Sequence, residues 1–470
     1  MPFYILRFLI IFALWWVALW LALPVEWIQQ GSLPSLAMLH VGPPSFAMAF
    51  WLFGKRTLRW RKAKVKKRAA NADAAVKEGQ LAATKAAHQE TLDRLRAHVE
   101  CRAVWAELVR IPDYLAETTE RCVLLKLPEE LQGSGRETVL TSSLERVFEV
   151  ALSQCEASVW LPVVIIDGSP IQREWVVRAW HHAVTACGIK QSPQSPDCII
   201  LPDSREMVDR IVALFDKDPV LPAVILVGMD SPVADDMAGA EDFGDEANEP
   251  GHVVTAMLLN RPGLTAPGNT QNSTLGREDD DPYMPYWERK HKYDDSPQWG
   301  RIPPQLRLDF WDIPPLVMLY RSSSVNGLEQ KRSSVLTRQI QDVIAKAFIH
   351  AGLRDLPLAT EEGAKTDAAD ESELPEFGWL VHNAPPIRLG ALFCALRDSG
   401  CEIDPFVESV KLEKEHGNVG SAHSVMMLTG ALIRAAQLQK PVLIAGFNED
   451  NSLDISLVRP FAKNMPTNTA

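Results

Sequence analysis

The chain has 470 residues, with 48 basic and 60 acidic side chains and a formal net charge of −12. Residues 1–68 hold ten of the basic residues and one Glu, so the remainder carries 38 basic against 59 acidic side chains, or −21. A surface this acidic repels nucleic acid and anionic lipid, which argues against both as partners of the main body. The length beyond residue 100 suffices for one large domain or two ordinary ones.

The seven cysteines form no C-x-x-C pair and no zinc-ligand spacing, and their number is odd. Most of them lie in apolar runs, as small buried side chains do. The pattern predicts reduced thiols in a reducing compartment rather than a disulfide scaffold. They are Cys101, Cys122, Cys155, Cys187, Cys198, Cys394 and Cys401.

Two apolar runs, Phe3 to Leu23 and Leu33 to Phe53, open the chain. Each has about 20 residues, the length at which a helix spans the hydrocarbon core of a bilayer. We therefore predict a transmembrane helical hairpin over residues 1–57. Because Pro43 and Pro44 lie inside the second run, that helix is predicted to be kinked or re-entrant.

A dense basic block between Lys55 and Arg68 follows the second run. Cationic flanks remain on the cytoplasmic side of a membrane, so we expect a two-pass protein with residues 69–470 in the cytoplasm. A cleaved signal peptide is the alternative for the first run. The block itself is interpreted as an anchor on anionic lipid, with nucleic-acid binding as its alternative.

Residues 58–100 contain no Pro and are rich in Ala, Lys, Glu, Gln and Arg, which are strong helix formers. They are predicted to form a basic helical stalk. Its apolar stripe is too sparse to require a coiled-coil dimer.

The predicted body begins with an α/β half over residues 101–265. Continuous β-branched runs alternate there with helical spacing, which favours a largely parallel sheet covered on both faces. The predicted strands are Trp160–Ile166, Cys198–Leu201, Pro222–Val227 and Val253–Leu259, and the predicted helices are 171–187 and 207–215.

A second α/β half is predicted over residues 336–470, with the same order of elements. Its strands are Gly378–Val381, Val407–Leu412, Pro441–Ala445 and Ile455–Val458, and its helices are Leu389–Leu396 and 423–438. In both halves an apolar strand ending in Arg-Pro closes the order, which indicates pseudo-duplication. The fold class is therefore α/β with two pseudo-duplicated halves after the hairpin, and a thiolase-like architecture is the expectation by analogy of fold alone.

An irregular connector rich in aromatic and acidic residues is predicted over 266–335. Its aromatic side chains either wrap over the core or present a surface to a partner protein. The candidates for that partner surface are Tyr286, Trp287 and Trp299.

Two loops are candidates for binding. Asp167 and Ser169 follow a predicted strand, where α/β sheets place ligands, although Asp-Gly-Ser-Pro is also typical of a tight turn. In His416-Gly-Asn-Val-Gly-Ser-Ala-His423, small residues before a helix expose backbone N–H groups that can hold an anion, which makes His416, Asn418, Ser421 and His423 candidates. The alternative is a helix N-terminus packed closely on the sheet.

No phosphate loop, nucleophile elbow, zinc-protease motif or metal-ligand spacing occurs, so no catalytic residue, metal or cofactor is predicted. Thiolase-like enzymes do place a His in a glycine-bearing loop. They also require a nucleophilic Cys at a strand-to-helix turn, and none of the seven cysteines has that setting.

The hairpin together with three segments resembles the type VI lipase adaptor family. These segments are Met257-Leu-Leu-Asn-Arg-Pro-Gly263, Tyr286-Trp-Glu-Arg-Lys-His-Lys292 and His416–His423. The resemblance implies an adaptor at the bacterial inner membrane that recruits a secreted phospholipase effector and helps to load it on a valine–glycine-repeat spike protein. It implies no functional residues.

The leading expectation is a membrane-tethered cytosolic adaptor or chaperone for a secreted effector. The alternatives are a thiolase-like acyl-handling enzyme that uses His416 or His423, and a membrane-anchored sensor with a ligand between the two halves.

Overall fold

A computed structural model describes residues 2–22, 24, 32–116, 119–132, 134–201, 207–234, 250–264, 299–330, 332–356 and 374–461. The chain divides into two compact units, residues 1–89 and 90–470.

The first unit is built from helix α1 (Pro2–Ala22) and most of helix α2 (Leu33–Leu95), which runs through both prolines. Trp15 Nε1 donates a hydrogen bond to the Leu39 carbonyl at 3.0 Å, so the two helices contact each other. By length and composition, the segment Pro34–Lys67 is long and apolar enough to cross a membrane, and the apolar stretch Leu6–Ala22 is shorter.

The second unit combines helices with one twelve-stranded sheet. Its α-helices are α3 (Arg136–Gln154), α4 (Pro170–Ala186), α5 (Met207–Lys217), α6 (Pro304–Trp311), α7 (Ser333–His350), α8 (Pro386–Asp398), α9 (Leu412–His416) and α10 (His423–Leu438). Its strands are β1 (His98–Leu108), β2 (Cys122–Lys126), β3 (Val163–Ile166), β4 (Cys198–Leu201), β5 (Ala223–Asp230), β6 (Val253–Asn260), β7 (Val317–Tyr320), β8 (Ser323–Val325), β9 (Trp379–His382), β10 (Ser409–Lys411), β11 (Val442–Phe447) and β12 (Leu453–Pro460).

The strand order is β10-β9-β11-β12-β7-β1-β6-β5-β3-β4, with β2 beside β1 and β8 beside β12. When β2 and β8 are left out of the count, the two sides read outward from the central β7–β1 pair in the same order of chain succession, namely first, fifth, fourth, second and third strand. The prediction of a duplicated α/β fold is therefore confirmed. The second half begins at β7 rather than at residue 336.

The sheet is mixed, so the prediction of a largely parallel sheet is wrong for its centre. The outer strands β4, β3 and β5, and likewise β10, β9 and β11, pair in parallel, whereas β6, β1, β7 and β12 join antiparallel neighbours. The short link from β11 to β12 explains part of this, because a parallel pair needs a long crossover connection.

Three clusters of buried apolar side chains pack the helices against the two faces of the sheet. The central core joins α5 and α10 with one face of the strands of both halves. A second core lies under α3 and α4 on the other face of the first half, and a third lies under α7 and α8 on the other face of the second half. The two central helices therefore lie between the halves, and both begin beside strand ends.

Three predicted elements differ from the structure in their type or bounds. Residues Glu156–Trp160 form a 3₁₀ helix, so β3 begins later than expected. The predicted strand 407–412 is shortened to β10, and Leu412 opens the short helix α9 that ends at His416. The predicted stalk ends in β1, whose eleven residues continue the sheet.

The part of the predicted connector from Trp299 to Ile313 packs on the first half, whereas β7 and β8, which also lie within its predicted bounds, pair with β12 of the second half. Arg102 is 2 % exposed, and its guanidinium donates to Asn260 Oδ1 at 3.0 Å and to the Phe310 carbonyl at 3.1 Å. It also lies 4.8 Å from the centre of the Phe310 ring. Arg102 thus holds the C-terminal end of α6 against the sheet.

Candidate functional site

The loop between α9 and α10 is joined to the first half through its backbone. Gly251 N donates to the Asn418 carbonyl at 2.7 Å, and Pro250 and Asn418 form an isolated parallel bridge. The side chain of Asn418 accepts from Gly420 N at 2.9 Å. The backbone of Asn418 therefore holds the loop to the first half, and its side chain stabilises the turn within the loop.

The anion-binding position predicted for this loop holds a carboxylate of the protein itself. Asp230, 3 % exposed at the end of β5, accepts at Oδ2 from Ser421 N at 2.7 Å and Ser421 Oγ at 2.8 Å. Its Oδ1 accepts from Arg136 Nη2 at 2.5 Å and from Ser231 N at 2.7 Å. A Cβ at Gly420, where φ is +55°, would lie 2.3 Å from Asp230 Oδ2, so the approach needs glycine.

Of the two histidines of the loop, His416 is buried and His423 is half-buried, and both are uncharged near neutral pH. His416 shares a 2.6 Å hydrogen bond between its Nε2 and Tyr114 Oη, and burial, aided by Arg110, lowers its pKa to about 3. Burial also lowers the pKa of His423, whose Nε2 makes no hydrogen bond within the described part of the chain. Neither residue is poised as a proton donor near neutral pH.

Asp167 and Ser169 shape the turn from β3 into α4. Ser169 caps the helix: its hydroxyl accepts from Gln172 N at 3.3 Å, and Ser169 N donates to Gln172 Oε1 at 2.7 Å. This reciprocal pair is a capping box. Asp167 has a φ of +49°, and its backbone N–H donates to the Leu201 carbonyl. Asp167 and Ser169 therefore form the tight turn that was one of the two interpretations of the sequence.

The candidate partner surface is not supported at Trp299. That side chain is fully buried, with its ring centre 5.7 Å from Phe310 and 6.3 Å from Trp311, so it fills the core under α6 instead of facing a partner. Tyr286 and Trp287 lie outside the described residues.

A cleft of about 80 Å³ opens where the two halves meet. Both predicted loops approach it, since Ile166 precedes Asp167 and Ser424 follows His423. The starts of α5 and α10 supply an apolar wall, and β11 and β12 supply a polar one. The cleft is lined by Ile166, Met207, Val208, Leu319, Tyr320, Ser322, Ser424, Val425, Met427, Leu428, Ile444, Gly446, Asn448, Asp454 and Ser456.

The polar wall was missed by sequence reasoning, which treated Ile455–Val458 only as an apolar strand. Alternation along β12 places Leu453, Ile455 and Leu457 in the core under α7. Asp454 and Ser456 must then point to the opposite face, into the cleft. That alternation in Leu-Asp-Ile-Ser-Leu was the signal available in the sequence.

A second polar cluster also escaped the sequence analysis. His252 lies between Ser231 Oγ, 2.9 Å from its Nδ1, and Ser143 Oγ, 3.2 Å from its Nε2. Ser143 donates to Glu107 Oε1 at 2.6 Å. The Ser–His–carboxylate order is that of a nucleophilic triad, but Ser231 is fully buried, so a substrate cannot reach it. The cluster satisfies buried polar groups inside the first half.

None of the seven cysteines, all of which are described, lines the cleft. Burial raises the pKa of Cys198 to about 11 and that of Cys401 to about 12, which keeps both as thiols. Among the described residues, no cluster of His, Cys, Asp and Glu could hold a metal ion.

No family model and no curated protein matches this chain. Solved structures do: a variant of OleA from Xanthomonas campestris is 10 % identical with a TM-score of 0.38, and the match covers 77 % of this chain and 98 % of OleA. Acetamide-bound OleA is 11 % identical with a TM-score of 0.37, and the match covers 77 % of this chain and 99 % of that protein. The acyltransferase ChlB3 is 11 % identical with a TM-score of 0.38, and the match covers 78 % of this chain and 98 % of ChlB3. At TM-scores below 0.5, these similarities carry no conclusion about the fold or the activity of this chain.

Proposed function

We propose that this chain is a membrane-tethered adaptor, a binding protein that recruits a secreted lipase effector in the cytoplasm for loading on the type VI secretion spike. The identity of the partner rests on the resemblance of the three sequence segments. One structural observation favours a binding role over the acyl-handling alternative, which is that the cleft at the starts of α5 and α10 has no thiol in its lining.

The rest of the loop supports a role without chemistry. Its anion-binding backbone is occupied by Asp230, and Asn418 is engaged in the contact with the first half. Neutral histidines such as His416 and His423 have lost the charge change that acid–base catalysis uses. What remains is a rigid α/β body with a strongly acidic composition, suited to docking rather than to turnover.

The tether is proposed to be a two-pass hairpin that leaves the body in the cytoplasm. Arg7, the one charged residue of the first apolar run, lies 5.1 Å from the ring centre of Trp51, and Lys55 lies 4.8 Å from the same ring. The charge of the first helix thus lies beside the start of the basic block. Tryptophan beside cations is typical of a membrane interface, and the basic side of such a hairpin is the cytoplasmic one.

Capture from membranes tests the adaptor. The full chain, tagged at its C-terminus and solubilised in mild detergent, should retain a lipase and a spike protein from the same cells. A tagged hairpin of residues 1–68 in the same membranes controls for detergent carry-over. Recovery of neither protein with the full chain would contradict the proposal.

The acyl-handling alternative makes a different prediction. If His416 or His423 took part in catalysis, the double substitution His416→Ala and His423→Ala would abolish release of coenzyme A from acyl thioesters. The adaptor proposal expects no release above buffer by either form of the protein. The sensor alternative requires that a ligand bind in the cleft between the two halves.

A further inference from the structure

The cleft holds a polar group that the protein itself leaves unsatisfied. Asp454 Oδ2 accepts from Asn448 Nδ2 at 2.6 Å, but Asp454 Oδ1 is buried and makes no hydrogen bond within the described part of the chain. A buried carboxylate oxygen without a donor costs free energy, and such atoms are uncommon in folded proteins. The cost of burying this oxygen is already present in the unliganded fold. A ligand in the cleft reaches the oxygen only when the Asp454 side chain turns toward the cleft, and a donor on the ligand then satisfies it.

The charge of the lining selects the sign of that ligand. Among the described residues that line the cleft, Asp454 is the one carboxylate, and none is Lys, Arg or His. Among these residues, a carboxylate or phosphate ligand would therefore face Asp454 without a compensating cation. An ammonium group, with three donors and a positive charge, matches the unpartnered oxygen and the hydroxyl of Ser456 two residues along the strand.

The other wall selects an apolar body for the ligand. Met207, Val208, Val425, Met427 and Leu428 come from the first turns of the two central helices, and methionine side chains adapt readily to a flexible chain. Gly446 lets the Met427 side chain lie close to the strand, because a Cβ there would lie 3.2 Å from Met427 Cε. The apolar and polar walls face each other across the same cleft.

We propose that the cleft between the two halves binds a small primary amine with an aliphatic tail, its ammonium group on Asp454 and its tail against the starts of α5 and α10. This site is separate from the adaptor role and does not depend on it. No covalent step is involved.

Calorimetric titration of the full chain in lipid nanodiscs tests the proposal, with empty nanodiscs as the blank. The probes are hexylamine, hexan-1-ol and hexanoate, which share one tail and differ in the head group. Hexylamine should bind at least about tenfold more tightly than hexanoate, because a charge-assisted hydrogen bond is worth about a factor of ten or more. Equal affinity for the two, or no binding of hexylamine, would overturn the proposal.

Three variants locate the site. Asp454→Asn should weaken hexylamine about tenfold and leave hexan-1-ol unchanged, whereas Asp342→Asn, at an exposed position of α7, should change neither. Ser424→Leu fills the cleft from the first turn of α10 and should weaken both ligands, which keeps the test decisive if Asp454→Asn does not fold. Unchanged hexylamine binding by folded Asp454→Asn, or by Ser424→Leu, would refute the site.

Discussion

Asp230 Oδ2 accepts hydrogen bonds from both the backbone N–H and the hydroxyl of Ser421, at 2.7 and 2.8 Å, although the two residues are 191 positions apart. The carboxylate ends a strand of the first half, and the serine opens the central helix of the second. Together with Arg136 on the other oxygen, this contact closes the interface between the halves at the point where a ligand-binding loop was expected.

Removing the carboxylate should loosen that interface. Asp230→Ala removes the acceptor of the Ser421 N–H and of the Arg136 guanidinium, whose side chain is 41 % exposed. The loss should therefore be about 2 kcal/mol, less than for a fully buried ion pair. The midpoint of urea unfolding should fall accordingly. Asp342→Ala, at an exposed position, is the control and should leave the midpoint unchanged. A stability of Asp230→Ala equal to that of the control would show that the contact contributes nothing.

Gly420 allows a clean separation of backbone strain from steric clash. Gly420 and Gly188 both have positive φ, +55° and +66°, but only at Gly420 would a Cβ meet another atom, Asp230 Oδ2 at 2.3 Å. Gly188→Ala should therefore cost only the strain of about 1 kcal/mol. Gly420→Ala should cost at least about 1 kcal/mol more, as Asp230 is displaced from Ser421. Equal losses in the urea midpoint would contradict the close approach.

Local elements were predictable, whereas contacts between distant segments were not. Strand β4 and helix α10 match their predicted bounds because their apolar patterns are continuous and are punctuated by turn residues. Helix α3 was missed, although Leu140, Leu144 and Val147 have helical spacing. No periodicity could indicate that the anion for the loop at Ser421 would be Asp230, because that pairing is created by the docking of the two halves.

The candidate site divides in the same way. The capping role of Ser169 follows from its spacing to Gln172 and was open to sequence reasoning. The cleft was anticipated only as a crevice between halves, because its polar wall depends on which face of β12 turns inward. That face is fixed by the packing of Leu453 and Ile455 under α7, a tertiary fact.

Buried histidines should make the fold sensitive to acid. Burial lowers the pKa of His416 to about 3 and the pKa values of His252 and His382 to about 4, from an ordinary value of 6.5. Between these limits the unfolded chain binds more protons than the folded chain, so the free energy of unfolding is greatest above pH 6.5 and falls as the pH drops toward 4. Each histidine contributes a slope of up to about 1.4 kcal/mol per pH unit.

Urea unfolding across this pH range measures the effect. His416→Gln cannot take up a proton in either state, so its dependence on pH should be shallower than that of the natural chain. His181→Gln, at an exposed position of α4, should leave the slope unchanged. A slope that His416→Gln does not alter would show that His416 is protonated in the folded state.

The thiols should react in the order of their exposure. Cys394 is exposed, Cys187 is partly exposed, and the other five are buried, with raised pKa values that disfavour the nucleophilic thiolate. Iodoacetamide at neutral pH should label Cys394 first in the native chain and should reach the buried five only after unfolding. Peptide mapping by mass spectrometry distinguishes the sites. Rapid native labelling of a buried cysteine would reveal an activated thiol and would favour the acyl-handling alternative.

The adaptor proposal is tested most directly by the affinity between the purified lipase and the full chain in nanodiscs, measured by biolayer interferometry. Nanodiscs that carry only residues 1–68 provide the reference surface. The proposal predicts saturable binding that requires residues 69–470 and weakens with added salt, because the body is acidic. Absence of binding at about 10 μM lipase, or binding equal to that of the hairpin alone, would contradict it.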